Sequence, residues 1–325
     1  MTFRNRLWAV GGGKGGVGKT VVTVLIAEAL ARRGVNVVLV DADLGGANLH
    51  TLLGLRNPAY TLGDFMARRV ESLEEVVQPT VVQNLRLISG ADDILGIANP
   101  KFAQKQRLLT HIDRLKADVI LLDLGAGTST TTTDFFLYAA GKLVVMTPQV
   151  TSIQNGYSFI KASLYRHLSR AFAKHEEVLE LLEAASNPTA GSAISSVADL
   201  RKALATIDPA HAETATRCLE DLDIGLVVNM TRTAKERETG QLVRAVAQRY
   251  LDISPEALGV IDFDGEVDRA INHMTSFLSQ QSRSTARLGA YDIATKVLQK
   301  MRNARAPREV PGDVEEHEPE LTSTE

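Results

Sequence analysis

The chain has 325 residues, 44% hydrophobic and 23% charged, with a net charge of −3; it can bury a core as one large α/β domain or two smaller ones, and it exerts no global pull on nucleic acid or acidic lipid, so binding either needs a local basic patch. A single cysteine, Cys218, excludes a disulfide framework and an internal set of cysteine ligands, fits a reducing compartment, and reads as a half-buried helix residue. No apolar run reaches the roughly 18 residues of a membrane span, and the N-terminus enters a strand almost at once, so neither a span nor a signal peptide is expected and the location is expected to be cytoplasmic.

Short β-rich apolar runs recur along the chain at 7–10, 35–40, 85–88, 119–122, 143–146, 224–228 and 260–263, separated by helical patterns. Runs apolar on both faces predict a doubly wound α/β fold, with a mostly parallel sheet covered on both sides. Between the first two, Val22, Leu25, Ile26, Ala29 and Leu30 fall at helical spacing and Gly34 supplies a C-terminal stop. The stretch 171–223 departs from simple alternation. It reads as a helical insertion broken by a linker at 186–192, with Asp208-Pro209 as a cap and first turn; insertions are tolerated at low cost, so it serves either as a partner surface or as padding. The chain is expected to form one domain over 1–305, followed at 306–325 by an acidic, proline-containing tail that is expected to be disordered.

Gly13-Lys14-Gly15-Gly16-Val17-Gly18-Lys19-Thr20 fits G-x-x-x-x-G-K-[ST], after an apolar strand and before an amphipathic helix. In that setting backbone N–H groups and a helix N-terminus wrap polyphosphate. The glycines allow close approach and positive φ. Lys19 is expected to reach the β- and γ-phosphates and the Thr20 hydroxyl to bind Mg²⁺. The predicted cofactors are therefore ATP and Mg²⁺. Asp123 closes a buried strand and is followed by Leu-Gly-Ala-Gly127. A carboxylate there lies on the ligand-binding edge of such a sheet and can hold Mg²⁺, while Gly125 and Gly127 make a loop able to sense the γ-phosphate. The second strand ends in Asp41-Ala-Asp43. Asp43 is the candidate for orienting the attacking water and Asp41 for lying nearer the metal, a division that spacing alone leaves open.

With Lys14 preceding Gly-Gly-Val-Gly-Lys-Thr, the loop resembles the deviant Walker A motif of the MinD/ParA ATPases, SIMIBI-type P-loop NTPases in which this added lysine reaches the partner subunit's nucleotide. The resemblance covers roughly 5–170 and 222–300 and leaves the insertion outside it. It implies that 41–48 is switch I, with Asp43 activating water, and that Asn229 and Arg232, in Asn-Met-Thr-Arg, bind adenine; without it, Asn229 reads as a turn residue ending a strand. Residues 123–127 and 144–153 are similar to the FlhG-type branch, which controls flagellar number and placement.

Three departures limit the resemblance. About ten residues precede the loop, leaving no room for the glutamine-containing segment through which FlhG-type proteins stimulate their GTPase partner. Asp262 stands where the family has a proline near adenine. At 288–301, Leu288, Tyr291, Ile293, Ala294, Val297, Leu298 and Met301 form a stripe expected to pack on the sheet, and Arg302, Arg305 and Arg308 then lead into acid. Peripheral association at the inner face of the membrane is in keeping with the family but unsupported by this C-terminus.

The expected function is an ATP-driven homodimerisation switch, with slow hydrolysis stimulated by an unidentified protein partner, that positions flagella, polar machinery or the division site. A DNA-partition ATPase would need a basic surface, and Arg232, Lys235 and Arg237 read more simply as a solvated face, so DNA is not an expected partner. A scaffold with little turnover would have no reason to keep Lys19, Asp43 and Asp123. Iron–sulfur carriers need paired cysteines, which this chain lacks.

Overall fold

The computed structural model describes residues 5–44, 46, 48–55, 58–90, 100, 102–187, 194–272 and 284–303. Its strands are β1 (Leu7–Gly11), β2 (Val37–Ala42), β3 (Gln78–Pro79), β4 (Leu85–Ile88), β5 (Val119–Leu124), β6 (Gly141–Met146), β7 (Ile224–Thr231) and β8 (Glu256–Asp262). They form one sheet in the order β3-β4-β2-β5-β1-β6-β7-β8. Every pairing is parallel except that of β3 with β4. The doubly wound, mostly parallel sheet is therefore as expected. The two-residue edge strand β3 was missed because Gln78-Pro79 carries no apolar run, and its proline suits an edge.

The helices are α1 (Lys19–Ala31), α2 (Leu49–Leu52), α3 (Leu62–Met66), α4 (Phe102–Arg114), α5 (Thr130–Tyr138), α6 (Val150–Ala171), α7 (Glu176–Ser186), α8 (Val197–Ile207), α9 (Pro209–Glu220), α10 (Ala234–Arg237), α11 (Thr239–Leu251), α12 (Gly265–Asn272) and α13 (Thr285–Asn303). Strands preceding β6 in the chain lie on one side of β1 and later ones on the other, so the winding reverses at β1 and opens a crevice at its C-terminal end.

Alternation along each strand sends side chains to two cores. Trp8, Val10, Leu39 and Leu121 meet Leu25 and Ile26 of α1 and Ile293 and Val297 of α13. Ala9, Val38, Val40 and Leu122 meet Phe136 of α5 and Phe159 of α6 on the opposite face. The helices of the 171–223 stretch join this second core through Val178, Leu182, Leu200, Leu204 and Leu219. Asp208 caps α9, its carboxylate accepting the Ala210 N–H at 2.8 Å, with Pro209 in the first turn. Gly34 takes φ 79°, as a stop after α1 requires.

Two expectations change. Cys218 is buried rather than half-buried, at 5% exposure. In α13, Leu288 and Tyr291 are 67% and 52% exposed, and the buried stripe runs through Ala286, Ala290, Ile293, Ala294, Val297, Leu298 and Met301. Gly289 seats α13 close against β8, since a Cβ there would strike the Val260 carbonyl oxygen, and Leu288 and Tyr291 face outward; the Arg33 guanidinium lies 3.4 Å over the Tyr291 ring. Most of the 186–192 linker, Arg305, Arg308 and the acidic tail lie outside the described residues.

Candidate nucleotide-binding site

The loop 12–18 leaves β1 and enters α1 at the crevice. Gly16 and Gly18 take φ 81° and 80°, a left-handed conformation that costs a side-chain-bearing residue energy, and Gly18 is the N-cap of α1. The foot of the loop is crowded: a Cβ at Gly12 would lie 2.8 Å from the Val145 carbonyl oxygen, and one at Gly13 would strike the backbone of Asn155 in α6. The tip is open, since nothing lies within 4 Å of a Cβ built at Gly15 or Gly16. Lys14, Gly15 and Gly16 are exposed and Val17 is buried. This concave backbone rim, opening on a helix N-terminus, suits polyphosphate.

Lys19, in the first turn of α1, is 8% exposed. Burial pushes its ammonium below the usual lysine range, while the Asp123 and Asp43 carboxylates oppose the shift. Asp123, at 2% exposure, is pushed up to about 6, chiefly by burial, against hydrogen bonds from Thr20 and Thr23 and the charge of Lys19. Thr20, Lys19 and Asp123 are thus brought together. Thr23 was not foreseen. Its hydroxyl reaches Asp123 Oδ1 at 3.1 Å and the Lys19 carbonyl at 2.9 Å; the available signal was a hydroxyl one helical turn beyond Lys19, on the face of α1 turned to the sheet.

Asp41 and Asp123 are register partners on β2 and β5. Asp41 is 1% exposed and pushed up to about 7 by burial and then by Asp123. Its two oxygens accept backbone N–H groups, Oδ1 from Asp43 at 3.3 Å and Oδ2 from Leu49 at 3.0 Å. It therefore ties both ends of the 43–49 turn to the sheet. Asp43 is half-buried beside Gly125, where a Cβ would lie 2.9 Å from Asp43 Oδ1. The Gly127 N–H donates to the Gly12 carbonyl at 3.2 Å, joining the loop after β5 to the phosphate loop. Gly45 and Ala47 of the same turn lie outside the described residues.

Asn229 and Arg232 part company at a bulge. Met230 has φ 59°, and the β7–β8 register shifts between Asn229 and Thr231. Asn229, 4% exposed, turns inward and donates from Nδ2 to the Val17 carbonyl at 3.0 Å. Arg232 is exposed, with its guanidinium 3.8 Å over the Phe263 ring. Asp262 accepts from Thr231 Oγ1 at 2.6 Å and pairs with Arg237 at 2.5 Å.

The model of the ParA family, described as NUBPL iron-transfer P-loop NTPase, matches residues 4–163. The antiactivator FleN of Pseudomonas aeruginosa is 29% identical over 292 residues, covering 89% of this chain and 85% of FleN. Over its N-terminal half the chain is thus similar to P-loop NTPases of the ParA family, and over most of its length to FleN. The septum site-determining protein MinD of Helicobacter pylori is 33% identical over 146 residues, a span covering 44% of this chain and 53% of that MinD. For the fold, MinD of Pyrococcus horikoshii, solved with Mg-ADP, superposes with a TM-score of 0.59 at 21% identity, covering 91% of this chain and 96% of that one. The family model's description mentions iron transfer; the chain's one thiol is buried and pushed up to about 11 by that burial, and a lone cysteine supplies too few ligands for a cluster.

Proposed function

We propose that this chain is an ATPase working as a nucleotide-driven dimerisation switch, which positions or counts a cell structure such as flagella, polar machinery or the division site. The observation that carries the proposal is the division of labour between two lysines of one loop. Lys19 is buried between Asp123 and Asp43, placed to serve its own subunit's nucleotide. Lys14 is exposed on the open rim, free to meet the nucleotide of a second copy. The loop from Gly13 to Thr20 would hold the phosphates of ATP, and Asn229 and Arg232 its base. Thr20 and Asp123 would hold Mg²⁺ with Asp41 behind them; the ion would neutralise charge on the β- and γ-phosphates. Asp43, beside Gly125, would orient the attacking water. Of the small basic cluster Arg232, Lys235 and Arg237, Arg237 is paired with Asp262, which weakens the DNA-partition reading.

Light scattering of the apo, ADP·Mg²⁺ and ATP·Mg²⁺ forms tests the switch. A dimer is expected with ATP alone, lost in Lys14→Ala and persistent in Asp43→Ala. A mass indifferent to nucleotide in all three proteins would overturn it. A slow basal turnover that rises when a partner is added would complete the reading.

A further inference from the structure

We infer that Thr23 is a positioning residue for the Asp123 carboxylate, holding it for the ion that Thr20 and Asp123 would share; this rests on the nucleotide site proposed above. Thr23 is fully buried, at 0% exposure, in the second turn of α1. Its hydroxyl lies 3.1 Å from Asp123 Oδ1 and 2.9 Å from the Lys19 carbonyl oxygen, so one proton faces two acceptors. The two are not equal. The Lys19 carbonyl lies inside α1, where the backbone N–H four residues on, that of Thr23 itself, already serves it. Asp123 Oδ1 belongs to a carboxylate at 2% exposure, and a buried charge that loses a donor costs more than a carbonyl that loses its second one. The ionised carboxylate therefore takes the proton.

The surroundings leave Asp123 dependent on α1 for donors. β5 is flanked on both sides, and the register partners of Asp123 are Val10 on β1 and Asp41 on β2. One neighbour is apolar and the other is a second carboxylate, so neither supplies a hydrogen bond. Among the described residues, the side chains that donate to Asp123 are Thr20 and Thr23, three residues apart on one face of α1. Lys19 adds its charge. Thr20 is the hydroxyl expected on Mg²⁺, where its oxygen would turn to the ion. Thr23 lies one turn deeper and burial closes it to any ligand, so its hold on Asp123 is available whether or not the site is loaded.

Removing the hydroxyl separates this role from that of a threonine which merely bonds back to its own helix. ADP binding to the full chain would be titrated by calorimetry across a range of Mg²⁺ concentrations and in EDTA. Thr23→Val keeps the shape and removes the donor. It should raise the Mg²⁺ concentration needed for the half-maximal gain in ADP affinity about tenfold, while ADP affinity in EDTA stays within about twofold of wild type. Thr23→Ser, which returns the hydroxyl, should restore the wild-type Mg²⁺ dependence within about twofold. An unchanged Mg²⁺ dependence in Thr23→Val would overturn the inference. So would an equal loss with and without Mg²⁺, which would assign the hydroxyl to the Lys19 carbonyl and the phosphate loop. A wild-type protein that binds no ADP, or binds it equally with and without Mg²⁺, would instead overturn the Mg²⁺·nucleotide site itself. Thermal melts of the apo variants identify any loss caused by unfolding; should the valine variant not fold, Thr23→Ala removes the same donor and is read in its place.

Discussion

Gly125→Ala tests the placement of Asp43 without changing a side chain assigned to the nucleotide. Gly125 does not occupy the left-handed region, so an alanine is allowed by the backbone. Its Cβ would lie 2.9 Å from Asp43 Oδ1 and 3.3 Å from Cγ, against about 3.5 Å for unstrained contact. The carboxylate therefore has to retreat by about 0.5 Å. Misplacing a reacting group by about 1 Å costs on the order of 10²-fold in rate, so half that displacement should lower kcat about tenfold, or about 1.4 kcal/mol in the barrier. No phosphate-loop atom lies in the path of the new methyl group, so nucleotide affinity should stay within about twofold. Phosphate release at saturating ATP reads the first quantity and nucleotide titration the second. Gly46→Ala is the control: its Cβ would meet Asp43 Oδ2 at 3.5 Å, an ordinary contact, and the rate should hold. An unchanged kcat in Gly125→Ala, or an equal fall in the control, would refute the reasoning.

Three further outcomes follow from buried charges and the lone thiol. Lys142, 6% exposed, donates to the Ala139 carbonyl at 2.7 Å and is pushed down to about 8 by burial. The unfolded state then binds more protons between that value and the ordinary lysine pKa, so stability should rise with pH across this window and sit on its lower plateau below about 8. Lys142→Met should remove the slope and, after the lost hydrogen bond is counted, stabilise the protein by about 2 kcal/mol at neutral pH; urea unfolding at two pH values checks both. Asp134 of α5 pairs with Lys105 at 2.6 Å and Arg166 at 2.9 Å. Burial pushes its carboxyl up, but the hydrogen bonds from Arg166 and Lys105 outweigh this and hold it below the usual range. Asp134→Asn should cost about 3 kcal/mol in the same assay. Cys218 should resist a thiol reagent at neutral pH in the native protein and react promptly in urea, because burial holds its thiol near 11.

The strands and the phosphate loop were legible because both are local patterns. Apolar runs mark a buried parallel strand wherever it lies in the sheet, and the spacing of Gly13, Gly18 and Lys19 is fixed by one turn of backbone. What escaped was set by contacts between distant segments. Helical spacing admitted Leu288 and Tyr291 to the buried stripe of α13, and they are excluded in the fold, where Gly289 lies against the Val260 carbonyl and Ala286 and Ala290 are buried in their place. The place of Asp41 beside Asp123, near the metal expected there, follows from its strand, but its own partners do not. Its two backbone hydrogen bonds, one of them eight residues away to Leu49, are a property of the folded turn.

Asn229 makes the same point at the site itself. The motif that contains it implies a contact with adenine, and the structure places its amide on the phosphate loop. Which partner it takes depends on a bulge one residue later, and the bulge depends on Thr231, Asp262 and Arg237 from three separate elements. A residue type in a motif therefore fixes what chemistry can be offered at a place. The packing of the remaining chain decides to whom it is offered, and here the buried Val17 carbonyl lies within reach before any ligand arrives.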